Sequence, residues 1–272
     1  MNNVDELLGI MDTLRDPDRG CPWDRVQTNA TILPHTLEEV YELAEAIGNA
    51  NSSAIKDELG DLLFQIVFYS KLASEAGQFN FTDVVSNISE KLKRRHPHVF
   101  GENKLHTPGQ VSLSWEKIKA AERQSAGQVK QGLLDNISNA LPALITAAKL
   151  QNKAATVGFD WDHVDPVIDK IREELAEICE ALDEGADKDK LSEEIGDLLF
   201  ACVNLARHTE VNAETALMSA NRKFRERFAY IESQLALQGK TTEQASLDEM
   251  EALWQKAKLI KNGDSGLGPR DS

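Results

Sequence analysis

The chain has 272 residues and carries 45 acidic against 30 basic side chains, a formal net charge of −15 that excludes a sequence-independent grip on nucleic acid. It does not exclude a phosphate-bearing small molecule, because local basic residues and metal ions can outweigh the average. No apolar run approaches the ~18 residues of a membrane span, Met1 to Met11 lacks the apolar core of a signal peptide, and the three cysteines (Cys21, Cys179, Cys202) show no metal spacing, which suits a reducing cytoplasm.

Taken in order, residues 3–15 place Val4, Leu7, Leu8, Met11 and Leu14 at helical spacing. Asp16-Pro17-Asp18-Arg19-Gly20 breaks that helix, and Cys21-Pro22-Trp23-Asp24 reads as a loop with an aromatic. Thr36 is the expected N-cap of a helix from Leu37 to about Ala50, with Glu39 as capping-box partner. A turn at Asn49–Ser53 leads to a helix over about 54–76, with Gly77 beyond its end. Thr82 or Asp83 starts a third helix through Arg95, which His96-Pro97 ends. Residues 113–123 predict a further helix with Trp115 and Lys119.

A linker over 125–137, richest in Gln, Ser, Gly and Lys near its start, separates a domain of residues 1–124 from one of 138–261. The order then recurs. A helix over roughly 138–155 precedes Gly158-Phe159-Asp160-Trp161-Asp162, which stands where the Trp23 loop stood. Helices follow over about 165–183, around Glu194 and Asp197, over about 212–238, and around Trp254 and Lys258. The tail 262–272 reads as disordered. Cys179 and Cys202 fall on apolar helical segments and are expected as core thiols.

The recurrence is sharpest in the acids. Glu38-Glu39-Val40-Tyr41-Glu42 precedes Glu58-Leu59-Gly60-Asp61, and Glu173-Glu174-Leu175-Ala176-Glu177 precedes Glu194-Ile195-Gly196-Asp197, across gaps of fifteen and sixteen residues. Glu39, Glu42, Glu58 and Asp61 thus pair with Glu174, Glu177, Glu194 and Asp197, Lys91 and Arg95 with Lys223 and Arg227, and Trp115 and Lys119 with Trp254 and Lys258. This is an internal duplication of an all-helical unit.

Residues three and four apart share a helical face, so two helices joined by a short turn can bring four carboxylates together. Like charges repel and desolvated carboxylates are costly unpaired, so a divalent cation is the simple resolution. All-oxygen ligation suits Mg²⁺ or Mn²⁺. The alternative for these acids is a solvated helix face. Against it, apolar residues cover nearly every direction of the turns after Asp61 and Asp197. Gly60 and Gly196, each costing about 1 kcal/mol in a helix interior, suggest a close approach. The basic residues suit a polyphosphate: Lys223 and Arg227 share a face, Lys170 stands four residues before Glu174, and Lys190 four before Glu194. For each lysine the alternative is an ordinary i, i+4 salt bridge. Trp254 can stack on a base or pack in a core, as can Phe159 and Trp161, and His96-Pro97-His98 reads as a post-helix loop.

The doubled acidic pattern, with Cys21-Pro22-Trp23-Asp24, Arg94-Arg95-His96-Pro97-His98-Val99-Phe100 and Val157-Gly158-Phe159-Asp160-Trp161, resembles the MazG family of bacterial nucleoside triphosphate pyrophosphohydrolases over almost the whole chain. The resemblance implies an all-α fold of two tandem domains, four-helix bundles formed on homodimerisation, and Mg²⁺-dependent hydrolysis of nucleoside triphosphates to NMP and pyrophosphate. It makes Glu174, Glu177, Glu194 and Asp197 catalytic metal ligands, with Glu39, Glu42, Glu58 and Asp61 as ligands in the first copy. The nucleotide would be contacted by Lys170-Ile171-Arg172-Glu173-Glu174, by Lys190-Leu191-Ser192-Glu193 with Asp197, by Lys223-Phe224-Arg225-Glu226-Arg227, and by Trp254 and Lys258. No nucleic acid or membrane partner is implied. Where the second copy has Lys170 and Lys190, the first has His35 and Ala54, so the second copy is expected to carry most turnover. Competing readings are a helical module that binds nucleotide and metal without turnover, and a pyrophosphatase narrowed to one substrate such as dUTP or dCTP.

Overall fold

The computed structural model describes residues 3–101, 107, 109–111, 114, 115, 118, 121, 122, 132–135 and 137–264, with side chains up to 260. The chain divides into two compact units, Met1–Gln128 and Val129–Ser272. No strand occurs among the described residues.

The first unit contains α1 (Asn3–Leu14), α2 (Pro22–Arg25), α3 (Asn29–Gly48), α4 (Ser52–Glu75), α5 (Phe81–Arg95) and α6 (Pro97–Phe100). The described residues between 109 and 122 are helical as well. α3 and α4 form an antiparallel hairpin, and α1 and α5 pack on α4. Met11, Ile32, Val67 and Phe68 are buried at the centre, with Leu7, Leu8, Phe64, Tyr69, Leu72 and Phe81 around them. Each fully buried apolar side chain of this size contributes about 1.5–3 kcal/mol.

α3 begins earlier than expected. Thr28 is its N-cap, in a capping box with Thr31, and Pro34 lies inside the helix. Pro34, the sixth helical residue, forgoes one i→i−4 bond, to Ala30, and the helix continues through it. Thr36 is therefore interior; its hydroxyl donates to Ile32 O at 3.2 Å and meets the Tyr69 hydroxyl at 2.9 Å. Cys21–Asp24 is likewise no plain loop, because Pro22 opens the short helix α2. Asn80, not Thr82 or Asp83, caps α5, with Asp83 completing its box.

The second unit contains α7 (Ala143–Ala155), α8 (Asp165–Asp183), α9 (Lys188–His208), α10 (Ala213–Leu237), a 3₁₀ turn (Thr242–Gln244) and α11 (Leu247–Asp264). Its packing repeats the first plan: α8 and α9 form the hairpin, α7 lies on α9, and α10 follows as α5 does. Ile231, Leu235 and Leu253 are buried together, flanked by Phe228, Met250 and Trp254. α7 starts at Ala143 rather than near 138, since Pro142 stands as its N-cap. α11 runs to Asp264, past the expected domain end at 261 and into the tail expected to be disordered, and the rest of the tail lies outside the described residues. Of the expected linker 125–137, only residues 132–135 and 137 are described.

Gly77 and Gly185 each close the helix before a turn that matters for the layout. Gly77 at φ +67° lets Gln78 N donate to Ala73 O at 2.9 Å, and Gly185 at φ +68° lets Ala186 N donate to Ala181 O at 2.8 Å. The second closure turns the chain from α8 into α9.

Three expectations are corrected. Cys179 and Cys202 are exposed, not core thiols. The helices after the acidic motifs are not covered all round, because a hairpin buries only the face toward its own unit: Leu59, Leu63 and Ile66 on α4, and Ile195, Leu199 and Phe200 on α9, are exposed. A Cβ at Gly60 or Gly196 would meet nothing within 4 Å, so neither glycine serves a close approach inside its unit.

Candidate functional site

The turn after Gly185 sets the site. Asp187 caps α9, accepting from Asp189 N at 3.1 Å and Lys190 N at 2.9 Å. The hairpin then brings the start of α9 against the middle of α8. Glu174, Glu194 and Asp197 each offer a carboxylate oxygen, and these oxygens lie within 4.8 Å of one another. Glu174 and Glu194 are buried, at 4% and 7% exposure, while Asp197 is exposed. Glu177 stands beside this trio rather than in it. Its carboxyl is pushed above the usual carboxylate range, first by burial, then by a hydrogen bond to Glu174 and the charges of Glu174 and Glu194.

The charge of the buried acids is met inside the chain. Lys170 Nζ lies 2.7 Å from Glu173 and 2.9 Å from Glu174. Lys190 Nζ lies 2.6 Å from Glu194 and 3.4 Å from Glu193. Both ammonium groups are held above their usual range, Lys170 by Glu173 and then Glu174, Lys190 by Glu194 and then Glu193. The i, i+4 bridges named above as the simpler alternative are therefore formed. Arg172 pairs instead with Asp169 at 2.8 Å. Ile171 and Leu191 are half-buried, and Ser192, Glu173 and Glu193 are exposed beside them.

The first copy assembles the same trio without a counter-charge among the described residues. Asn51 caps α4 by accepting from Ala54 N. Glu39, Glu58 and Asp61 bring oxygens within 4.8 Å of one another. No described residue forms an ion pair with any of them. Burial pushes the Glu39 carboxyl up, helped by Asp61, Glu42 and Glu58, and pushes Glu58 up, helped by Glu42 and Asp61. Glu42 thus stands near its trio as Glu177 does. His35, in the place of Lys170, lies 3.8 Å from Glu38 and meets the Trp23 ring edge-on at 5.7 Å.

The aromatic and basic residues form a separate assembly. The Arg227 guanidinium lies over the Trp254 ring at 5.4 Å, and Phe224 meets that ring at 5.2 Å. Lys223, Arg225 and Glu226 are exposed and Lys258 is half-buried. Among the described residues no ion pair or hydrogen bond joins Arg227 or Lys223 to the carboxylates. Trp254 packs against the core, the second of the two roles expected for it, and its ring also meets Arg227. Phe159, at 81% exposure, does not pack in a core, and Trp161 is exposed at 44%. Lys119 lies outside the described residues.

Sequence reasoning missed two contacts. Glu122 takes both Arg94 and Arg95, each at 2.7 Å. Asp160, in the Gly158–Asp162 loop, accepts from Arg207 Nη1 at 2.8 Å and lies 3.1 Å from His208 Nε2, tying the loop to the end of α9. Neither is a local spacing, and the only cue was the resemblance motifs that contain Arg95 and Asp160.

The trios fit a hard divalent cation by their chemistry: only carboxylate oxygens, three from two helices, close enough to share one ion. A family model described as "MazG nucleotide pyrophosphohydrolase domain" matches residues 27–100 and again 164–230, so each match spans one acidic hairpin. The chain is 49% identical over 259 residues to the nucleoside triphosphate pyrophosphohydrolase of Escherichia coli (strain K12), covering 95% of this chain and 98% of that protein. It is 44% identical over 254 residues to the nucleoside triphosphate pyrophosphohydrolase/pyrophosphatase MazG of Thermotoga maritima, covering 93% and 95%. It is also 42% identical over 249 residues to the Bacillus subtilis protein YabN, covering 92% of this chain and 50% of that one.

Proposed function

The chain belongs to the MazG nucleotide pyrophosphohydrolase family, and from that premise we propose that it hydrolyses nucleoside triphosphates at the α–β link to NMP and pyrophosphate. The observation that carries the reading is the Glu174, Glu194 and Asp197 trio with Lys170 and Lys190 against its buried members. Carboxylates buried at such cost, and shared with flexible cations, suit a site that exchanges one counter-charge for another.

In this proposal Glu174, Glu177, Glu194 and Asp197 hold Mg²⁺, with Mn²⁺ able to substitute. When bound, the ion neutralises phosphate oxygens and makes water a better nucleophile. Glu174 and Glu194 then no longer need their lysines, and Lys170 and Lys190 turn toward the non-bridging oxygens of the substrate. Lys223 and Arg227 hold the remaining phosphate charge, and Trp254 flanks the base, with Lys258 nearby. A water oxygen bonds to one phosphorus of the α–β link, the bridging bond breaks, and a carboxylate of the cluster takes the water proton.

The second copy carries most turnover, because His35 and Ala54 leave the first without the two lysines. The exposed apolar faces of α4 and α9 support a homodimer in which hairpins from two chains complete four-helix bundles. Clearing non-standard triphosphates in the cytoplasm is the role this chemistry suits.

The test is incubation with a panel of NTPs and dNTPs with and without Mg²⁺. NMP plus pyrophosphate, dependent on Mg²⁺, is expected. NDP plus orthophosphate would refute α–β cleavage, and binding without turnover would leave a nucleotide-binding module.

A further inference from the structure

The two copies treat their phosphate-side arginine differently. In the second unit the Arg227 guanidinium rests on the Trp254 ring, and its buried Nε has no hydrogen-bond partner. No described acid pairs with it. In the first unit the counterpart, Arg95, is paired with Glu122. Its Nη2 lies 2.7 Å from Glu122 Oε2, and its Nε reaches both carboxylate oxygens at 3.3 and 3.4 Å. Arg94 Nε adds a bond of 2.7 Å to the other oxygen. The Trp115 ring, counterpart of Trp254, meets His96 edge-on at 5.2 Å instead.

The sequence explains the difference. Glu122 stands seven residues after Trp115, and seven residues after Trp254 the chain has Lys261. A carboxylate offers an arginine the same paired oxygens as a phosphate, in the same fork geometry. Arg95, then Arg94, pull the Glu122 carboxyl down to about 2, so it stays charged at physiological pH. The bridge is only partly exposed, at 31% for Arg95 and 23% for Glu122, so water screens it less than a surface pair.

We propose that Glu122 is an internal phosphate mimic: by occupying Arg94 and Arg95 it closes the N-terminal copy's anion-binding position and lets that copy take a nucleoside triphosphate only weakly. This rests on the reading that Arg227 and its counterpart contact phosphate. It goes beyond that reading by naming the residue that separates the two copies after the lysines are accounted for. Arg95 is present but spoken for, and removal of one carboxylate uncovers it.

The full chain is titrated by calorimetry with Mg²⁺ and α,β-methylene-ATP, which resists cleavage at the α–β link. The native chain should show one strong site per chain. Glu122→Gln should add a second, binding at least about tenfold tighter than the native first copy does, as expected for freeing a charge-assisted pair. Arg95→Ala should abolish the added site when combined with Glu122→Gln. Glu122→Ala repeats the test without an amide. An unchanged isotherm in folded Glu122→Gln and Glu122→Ala chains overturns the proposal. So does loss of helix content in both, which would make the bridge a structural staple. Arg227→Ala separates the two levels. If it removes the strong site while Glu122→Gln adds nothing, only this inference fails. If it leaves the strong site intact, the phosphate reading of these arginines fails and this inference with it.

Discussion

The Lys190 ammonium sits 2.6 Å from the Glu194 carboxylate, one helical turn along α9. A divalent cation at the acidic trio must compete with that ammonium for the same oxygen. Lys190→Met should therefore tighten Mn²⁺ binding to the nucleotide-free chain by about two- to fivefold, the range of a solvent-accessible pair. It should also slow pyrophosphate release, at least about tenfold, if the lysine moves to a phosphate oxygen. Electron paramagnetic resonance titration with Mn²⁺ and a pyrophosphate assay read the two effects. Weaker metal binding, or unchanged turnover, would show that Lys190 is no exchangeable counter-charge.

Asp197 and Asp61 occupy matching places in trios of the same spacing. Among the described residues only the trio of Asp197 has lysines paired with it. Asp197→Asn should lower turnover at least about 100-fold, the upper range for loss of partners one shell beyond a ligand. Asp61→Asn should change it less than about twofold. Steady-state pyrophosphate release under saturating Mg²⁺ decides this, and equal losses would place the copies on the same footing.

Much of this site was legible because it is local. Acids three apart on one helix, twice, with a short turn between helices, leave few other arrangements. The i, i+4 lysines were legible for the same reason. What escaped was decided by tertiary packing. Glu122 reaches arginines 27 and 28 residues away, and no periodicity announces that. Cys179 and Cys202 lie on apolar stretches yet are exposed, because the partner helix chooses which face is buried. The start of α3 was misplaced because Thr36 and Glu39 also have capping-box spacing, while the box that forms is the one between Thr28 and Thr31.

Asp160 joins the Gly158–Asp162 loop to Arg207 and His208 on α9. Arg207 holds its carboxyl below the usual range, with burial opposing and the His208 contact assisting. A depressed folded value means stability that is present above the unfolded aspartate value and lost as pH falls toward the folded one. Asp160→Asn should cost the second unit about 1–2 kcal/mol at pH 7. The gap to the native chain should narrow below about pH 4, the unfolded aspartate range. Urea unfolding at pH 7, 5 and 3 measures it; a gap that stays constant would mean the ion pair contributes nothing.

Arg15 does the corresponding work in the first unit with the charges exchanged. Its side chain is 8% exposed and donates to Glu75, at 2.6 Å from Nη2, and to the carbonyls of Asp24 and Gln27. Its guanidinium also lies 5.3 Å from the centre of the buried Phe68 ring. One planar fork thus ties the end of α4 to the segment that carries α2. Arg15→Met should destabilise the unit by about 3 kcal/mol, since Glu75 loses its partner and two carbonyls lose a donor. Arg15→Lys should recover less than half of that, because a single ammonium cannot meet a carboxylate and two carbonyls set in different directions. Urea midpoints of the three chains decide it. Full rescue by lysine would show that charge alone, not the shape of the guanidinium, secures the loop.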